Sequence, residues 1–260
     1  MKVFVVNKRS ICTYICIFAA VIAIIGFNWE DTVSVFEQTS KKDLPIYSVG
    51  RDDKYCSISF DAAWGNEDTE TLIKILNDYN VKATFFVVGS WVDKYPESVK
   101  LLSDAGHEVM NHSNTHPHMT QIGKEKMLEE VTLCDNKIEK ITGKKPTLFR
   151  PPYGDYNNEV VGTMRDSGHY TIQWDVDSLD WKDLSAQAIY ERVTSQVTSG
   201  SIILFHNAAK HTPEALPMIL KYLKDNNYHV VPISKLIYKK DFTVDHTGKQ
   251  ISNAATNSVE

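Results

Sequence analysis

An α/β architecture built on a parallel sheet is what this chain predicts, and three observations predict it. Short apolar, β-type runs alternate with segments of helical periodicity from Tyr55 to Pro232. The run over 83–88 is continuous in apolar and β-branched residues, as a strand covered on both faces should be. At 260 residues, 42% hydrophobic and 23% charged, the chain is long enough to bury one full core. Whether open or closed into a barrel, such a sheet collects its chemistry at the carboxyl ends of its strands. A formal charge of −5 supplies no basic field for nucleic acid and points to a neutral or modestly charged partner.

Residues 1–31 stand apart. Lys2, Lys8 and Arg9 precede an uncharged, mostly apolar run over 11–27, and Glu30 and Asp31 follow it. Basic before and acidic after predicts an N-terminal transmembrane helix with its amino terminus in the cytoplasm. The run is short for a span and long for a signal-peptide core, and no Ala-x-Ala-like site follows it. The reading is an uncleaved anchor, with a removed signal as the alternative that Gly26 permits. Both place the rest of the chain outside the cytoplasm. Residues 32–53 are polar without clear periodicity and read as a linker, the folded domain is expected over 54–237, and 238–260 reads as a polar, disordered tail. Cys12 and Cys16 lie within the apolar run, whereas Cys56 and Cys134 fall in a strand and a helix and are expected as free buried thiols.

Within the domain, a strand over 55–60 leads to a helix over 69–79, where Leu72, Ile73, Ile75 and Leu76 keep helical spacing. The strand over 83–88 is followed by a helix over 96–104 that Gly106 closes. A strand over 108–110 and a long amphipathic helix over 124–141, ended by Gly143, come next. Strands over 147–149, 170–174 and 201–205 alternate with helices over 157–166 and 186–197. The final helix takes Thr212 as N-cap, Pro213 at its first position and Glu214 in its first turn. A strand over 228–232 and a short turn to Ile237 close the domain.

The unusual polar residues fall just after these strands: Asp61, then His112 and His116, then the Arg150 to Gly154 stretch, then Asp177 and Asp180, then His206. The two histidines belong to Asn-His-Ser-Asn-Thr-His-Pro-His (111–118). Four apart, they aim at one point from a helical turn or a tight helix-like loop, which is how a divalent metal is gripped. With nine His in the chain, that spacing alone is a weak signal. Taken singly, Asp61 reads as a turn cap, Arg-Pro-Pro-Tyr-Gly as a rigid turn, Asp177 and Asp180 as solvated charges, and His206 as a core histidine. Their joint placement on one rim points to a site.

These stretches resemble, in order, the motifs of the NodB-homology polysaccharide deacetylases. Ser59-Phe60-Asp61-Ala62-Ala63-Trp64-Gly65 looks like the first and His112-Ser113-Asn114-Thr115-His116 the second. Arg150-Pro151-Pro152-Tyr153-Gly154 is similar to the third, Asp177-Ser178-Leu179-Asp180-Trp181 to the fourth and Leu204-Phe205-His206 to the fifth. The wording of the first motif and the basic amino terminus look most like the sporulation-associated PdaB-type branch. The resemblance implies a distorted (β/α) barrel and removal of N-acetyl groups from peptidoglycan or a related amino-sugar polymer. It implies Asp61 as general base, His112 and His116 as metal ligands, and Arg150 as the group that keeps Asp61 ionised. The Tyr153 backbone N–H would bind the developing oxyanion, and His206 would be the general acid, with Asp180 favouring its protonated form. Leu204 and Trp181 would wall in the acetyl methyl. The metal would polarise the carbonyl and acidify its water; imidazole with carboxylate suits Zn²⁺ first, and Co²⁺ or Ni²⁺ as well.

The chain departs from the family pattern at Ala62, where a second, metal-binding aspartate stands in the family. Two imidazoles fall one short of the three protein ligands usual at catalytic zinc. Three outcomes are open: a third ligand from Asp177, His118 or Glu67; Asp61 shifting onto the metal; or a domain that binds sugar without cleaving it. A non-catalytic glycan-binding module and a hydrolase of other carbon–nitrogen bonds are the competing functions. Trp64, Tyr153 and Trp181 suit stacking on sugar rings or packing in the core.

Overall fold

The strand β2 (Tyr55–Ala62) is the axis of the domain. Its alternate residues Cys56, Ile58, Phe60 and Ala62 join a large apolar cluster, and Ser57, Ser59 and Asp61 take the opposite face, as the two-residue period of a strand requires. The computed structural model describes residues 42–253. Parallel strands flank β2: β3 (Thr84–Val87), β4 (Glu108–Asn111), β5 (Leu148–Phe149) and β6 (Tyr170–Thr171) on one side, β8 (Ile202–His206) and β7 (Val176–Asp177) on the other. A short β9 (His229–Val230) pairs with the start of β2. The result is a distorted parallel (β/α) half-barrel.

Helices α1 (Thr69–Asp78), α2 (Gly89–Lys94), α3 (Pro96–Asp104), α4 (Lys124–Thr142) and α5 (Asn158–Asp166) follow in the first half. Helices α6 (Ala186–Thr194), α7 (Thr212–Asp225) and the short α8 (Ile233–Leu236) complete the second. Leu72 and Leu76 of α1, Leu102 of α3 and Leu216 of α7 enter the cluster that covers β2. There Phe60 stacks on Phe85 with ring centroids 4.7 Å apart and on Phe205 at 5.6 Å. Each such buried ring contributes about 1.5–3 kcal/mol relative to exposure. Cys56 and Cys134 are buried and free, as expected, and burial pushes the Cys56 thiol up to about 12.

Consecutive strands β6 and β7 lie at opposite edges of the sheet, so the expected strand over 170–174 is cut short at Thr171 and the chain crosses to the other edge before β7 begins at Val176. The arm before β2 fills that gap. The Ile46 N–H donates to the Thr171 carbonyl (2.9 Å), the Gln173 N–H donates back to Ile46 (2.8 Å), and the Val49 N–H donates to Gly200 (2.9 Å). This corrects the linker reading for its last residues: the compact unit begins at Asp43, not Lys54, because Ile46 and Val49 have an apolar seat to fill. The tail reading is corrected likewise. Strands β10 (Phe242–Val244) and β11 (Lys249–Ser252) form a hairpin, and β11 pairs with β1 (Ser48–Val49), so the two ends of the unit hold each other.

Thr212 is the first residue of α7 and not its N-cap, which is His211. Its hydroxyl is committed elsewhere, to Asp180. Helix α2 was not anticipated; six residues are too few for periodicity to register. Among the described residues no helix is long and apolar enough to cross a membrane, and the expected transmembrane run over 11–27 lies outside the described residues.

Candidate active site

Asp61 stands near the carboxyl end of β2, 5% exposed. Arg150, just past β5 and fully buried, donates from Nη1 to Asp61 Oδ1 at 2.7 Å. Its Nη2 donates to Ser59 Oγ (2.9 Å) and the Gln173 carbonyl (3.2 Å), and its guanidinium lies 4.2 Å over the Phe86 ring. Two buried charges are costly to desolvate, and a pair this close offsets part of that cost, with Arg150 Nε left as a buried donor that has no partner. Burial alone would raise the Asp61 carboxyl, but the positive groups around it, Arg150 first, hold it below the usual carboxylate range. Asp61 is therefore ionised at neutral pH and able to accept a proton.

His112, at the end of β4, sets its Nδ1 2.7 Å from the Arg150 carbonyl. A carbonyl only accepts, so Nδ1 carries the proton and Nε2 is turned toward Asp61, 3.5 Å from Oδ2. The histidine stretch is a loop and not a helical turn: Ser113 (φ 66°) and His116 (φ 62°) are left-handed, which a helix forbids. This loop brings the two rings together with centroids 4.9 Å apart. Burial lowers both imidazoles, His116 to about 4, so both are neutral at pH 7, the form that ligates a metal.

Across the cleft, at the end of β8, His206 Nδ1 lies 2.8 Å from Asp180 Oδ1. Asp180 also accepts from the His206 N–H (2.8 Å), the Trp181 N–H (2.9 Å) and the Thr212 hydroxyl (2.7 Å). Burial alone would lower His206, but the Asp180 hydrogen bond and charge outweigh it and raise the imidazole above its ordinary value. Trp64 stacks on the His206 ring at 5.6 Å. Asp61, His112, His116, Leu204, Trp181 and His206 face one cavity of about 470 Å³. Tyr153 joins its rim in a left-handed conformation (φ 60°), with its ring exposed and stacked on His118 at 4.2 Å.

The site residues expected from sequence thus converge, with Arg150 and Asp180 buried behind the groups that face the cleft. The residues fit a divalent metal only in part. His112 and His116 present neutral imidazoles, yet among the described residues no three His, Cys, Asp or Glu side chains are arranged to hold an ion. Of the expected third ligands, Glu67 folds back onto the Asn66 N–H (2.6 Å), His118 is stacked on Tyr153, and Asp177 lines the cleft while accepting from the Leu179 N–H (2.9 Å). Ala62 belongs to the apolar cluster behind β2. Sequence reasoning missed Ser59, the Gln173 carbonyl and Thr212 as supports. Ser59 alone carried a signal, a hydroxyl two residues before Asp61 and so on the same face of an apolar strand.

Carboxylate and imidazole groups gathered at the strand ends of a parallel half-barrel define an α/β protein with a cleft of about 470 Å³ at that rim. The polysaccharide deacetylase family model matches residues 48–172, and the chain belongs to that family. It is similar to the peptidoglycan-N-acetylmuramic acid deacetylase PdaC of Bacillus subtilis (36% identical; 73% of this chain and 40% of the relative covered). It is also similar to the peptidoglycan-N-acetylmuramic acid deacetylase PdaA of B. subtilis (31%; 75% of this chain and 76% of the relative). Among solved structures it superimposes on BA3943, a CE4 family pseudoenzyme from Bacillus anthracis, with TM-score 0.72 and 35% identity, covering 75% of this chain and 69% of that one. A mutant of that protein with restored enzymatic activity matches at 36% identity and the same TM-score of 0.72, covering 75% of this chain and 72% of that one. The chain spans 60% and 40% of the lengths of two B. subtilis relatives, the uncharacterized protein YlxY and PdaC.

Proposed function

We propose that this chain is a hydrolase that removes N-acetyl groups from a cell-wall amino-sugar polymer of the peptidoglycan kind. One observation carries the reading: within a single cavity Asp61 is held ionised and His206 is held toward its protonated form, the division of labour that amide hydrolysis needs. The names of PdaC and PdaA support the substrate class.

In this reading Asp61 takes a proton from the attacking water as that water adds to the acetyl carbon, and Arg150 keeps the carboxylate oriented. The Tyr153 N–H donates to the oxygen that becomes negative. His206 then gives its proton to the departing nitrogen, so the carbon–nitrogen bond breaks to leave acetate and a free amine, and Asp180 steadies the imidazolium until that transfer. Leu204 and Trp181 exclude water around the methyl. A divalent metal, Zn²⁺ before Co²⁺ or Ni²⁺, would be held by His112 and His116 and would supply polarisation of the carbonyl and acidification of the water. The basic-flanked apolar run over 11–27 supports an extracytoplasmic domain anchored in the cell membrane, or secreted if that run is removed. The PdaB-like first motif supports a place in sporulation.

Glycan binding without turnover is the second reading, favoured by the methyl group at Ala62 and by the similarity to a pseudoenzyme. Acetate release from N-acetylated peptidoglycan by the full chain with added Zn²⁺, measured beside cosedimentation with the same polymer, separates the two. Release above a His112→Ala control is expected; cosedimentation with no release moves the assignment to the second reading.

A further inference from the structure

Helix α4 packs behind β4 through Met127, Glu130, Val131, Cys134, Asp135 and Ile138. That face is apolar except for two carboxylates, Glu130 at 1% exposure and Asp135 at 3%. Burying a carboxylate is expensive unless its oxygens are well hydrogen-bonded, so what these two accept shows what they are for. Glu130 Oε2 accepts the N–H groups of Asn114 (2.9 Å) and Thr115 (2.7 Å), and Oε1 accepts the Thr115 hydroxyl (2.8 Å). Asp135 accepts from Asn111 Nδ2 at 2.7 Å and lies 3.1 Å from His169 Nε2. Asn111 Oδ1 in turn accepts the Ser113 N–H (2.8 Å), and Ser113 Oγ accepts the His116 N–H (3.0 Å).

Apart from the contact of Asp135 with His169, these contacts fall between Asn111 and His116, the loop that carries both imidazoles. The loop needs such support, because Ser113 and His116 sit in the left-handed region, which is disfavoured for residues other than glycine. Glu130 clamps its middle and Asp135, through Asn111, its start.

We propose that Glu130 is a positioning residue for the imidazole pair: from the buried face of α4 it holds the backbone of Asn114 and Thr115 so that His116 meets His112. The inference rests on the reading of His112 and His116 as metal ligands. Reach, not charge, is what it requires. A Glu130→Gln side chain keeps the length, one oxygen for the two N–H groups and an amide to donate to Thr115. Glu130→Asp keeps the charge and withdraws it by one methylene.

Calorimetric titration of the metal-free full chain with Zn²⁺ is expected to show Glu130→Gln within about threefold of wild type. Glu130→Asp is expected to be weaker by about tenfold or more, the range seen when a metal ligand loses its supporting partner. Amide hydrogen exchange at Asn114 and Thr115 in the metal-free protein should slow equally in wild type and Glu130→Gln and quicken at least about tenfold in Glu130→Asp. Zn²⁺ binding by Glu130→Asp as tight as wild type, or equal weakening in both variants, overturns the proposal. If wild type itself binds no Zn²⁺, the metal reading fails and exchange decides the inference alone: unchanged exchange in Glu130→Asp overturns it, and loss of protection there with retention in Glu130→Gln sustains it.

Discussion

On the β2 side of the cleft the carboxylate of Asp61 is sealed against a guanidinium that solvent does not reach. On the β8 side His206 stacks its ring on Trp64, both lining the cavity, while its Nδ1 rests on Asp180, a carboxylate almost as buried as Arg150. Both sides use one device, a buried opposite charge behind the working group, and obtain opposite results. The guanidinium lowers the proton affinity of an acid, and the carboxylate raises that of an imidazole. The groups of one cavity are thereby driven apart in pKa, which is the separation that the proposed base and acid roles require.

Breaking the base side should give the largest effect. Asp61→Asn keeps the shape and removes proton acceptance, and acetate release is expected to fall by about 10³-fold or more; release near wild type removes Asp61 from the mechanism. Arg150→Met leaves Asp61 buried with no cation, a loss of about 3–5 kcal/mol that thermal or urea unfolding reads directly. A cost below about 1 kcal/mol would mean that the Arg150 charge is not what keeps Asp61 buried and ionised.

Asp180→Asn tests the acid side and should act on pH more than on maximal rate. His206 is raised by Asp180, so its protonated form persists to higher pH than an ordinary imidazole and activity is lost as pH rises through that raised value. Without the carboxylate the value falls, and the alkaline limb of the rate profile is expected to move to lower pH, with a loss of about tenfold near neutrality. An unmoved limb assigns it to another group. The smallest effect is expected of Ala62→Asp. It should tighten Zn²⁺ binding by about tenfold, as a third ligand would, while lowering stability in metal-free protein because position 62 lies in an apolar cluster. Equal or weaker Zn²⁺ affinity refutes the missing-ligand argument.

The strand ends were legible because each is announced locally, by an apolar run that stops at Asp61, His112, Arg150, Asp177 or His206. The arm at Ile46 and Val49 was not, since two apolar residues in a polar stretch acquire meaning only from Thr171 and Gly200, far along the chain. Thr212 obeys the local rule for a cap and is taken by Asp180 instead, 32 residues away. Glu130 looks like any charged residue of an amphipathic helix until β4 and its loop are laid against it.

Periods of two and of about 3.6 residues are properties of consecutive residues, so the alternation of the main strands and helices, the covered sheet and the position of each polar residue along it were settled by the sequence alone. Short elements such as α2, β1 and the β10–β11 hairpin were not. Closure of the half-barrel, the opposed proton affinities of Asp61 and His206, and the clamp on the histidine loop were decided by tertiary structure. Each depends on the distance and burial of groups that the chain places far apart, and electrostatic and hydrogen-bond energies are functions of those two quantities.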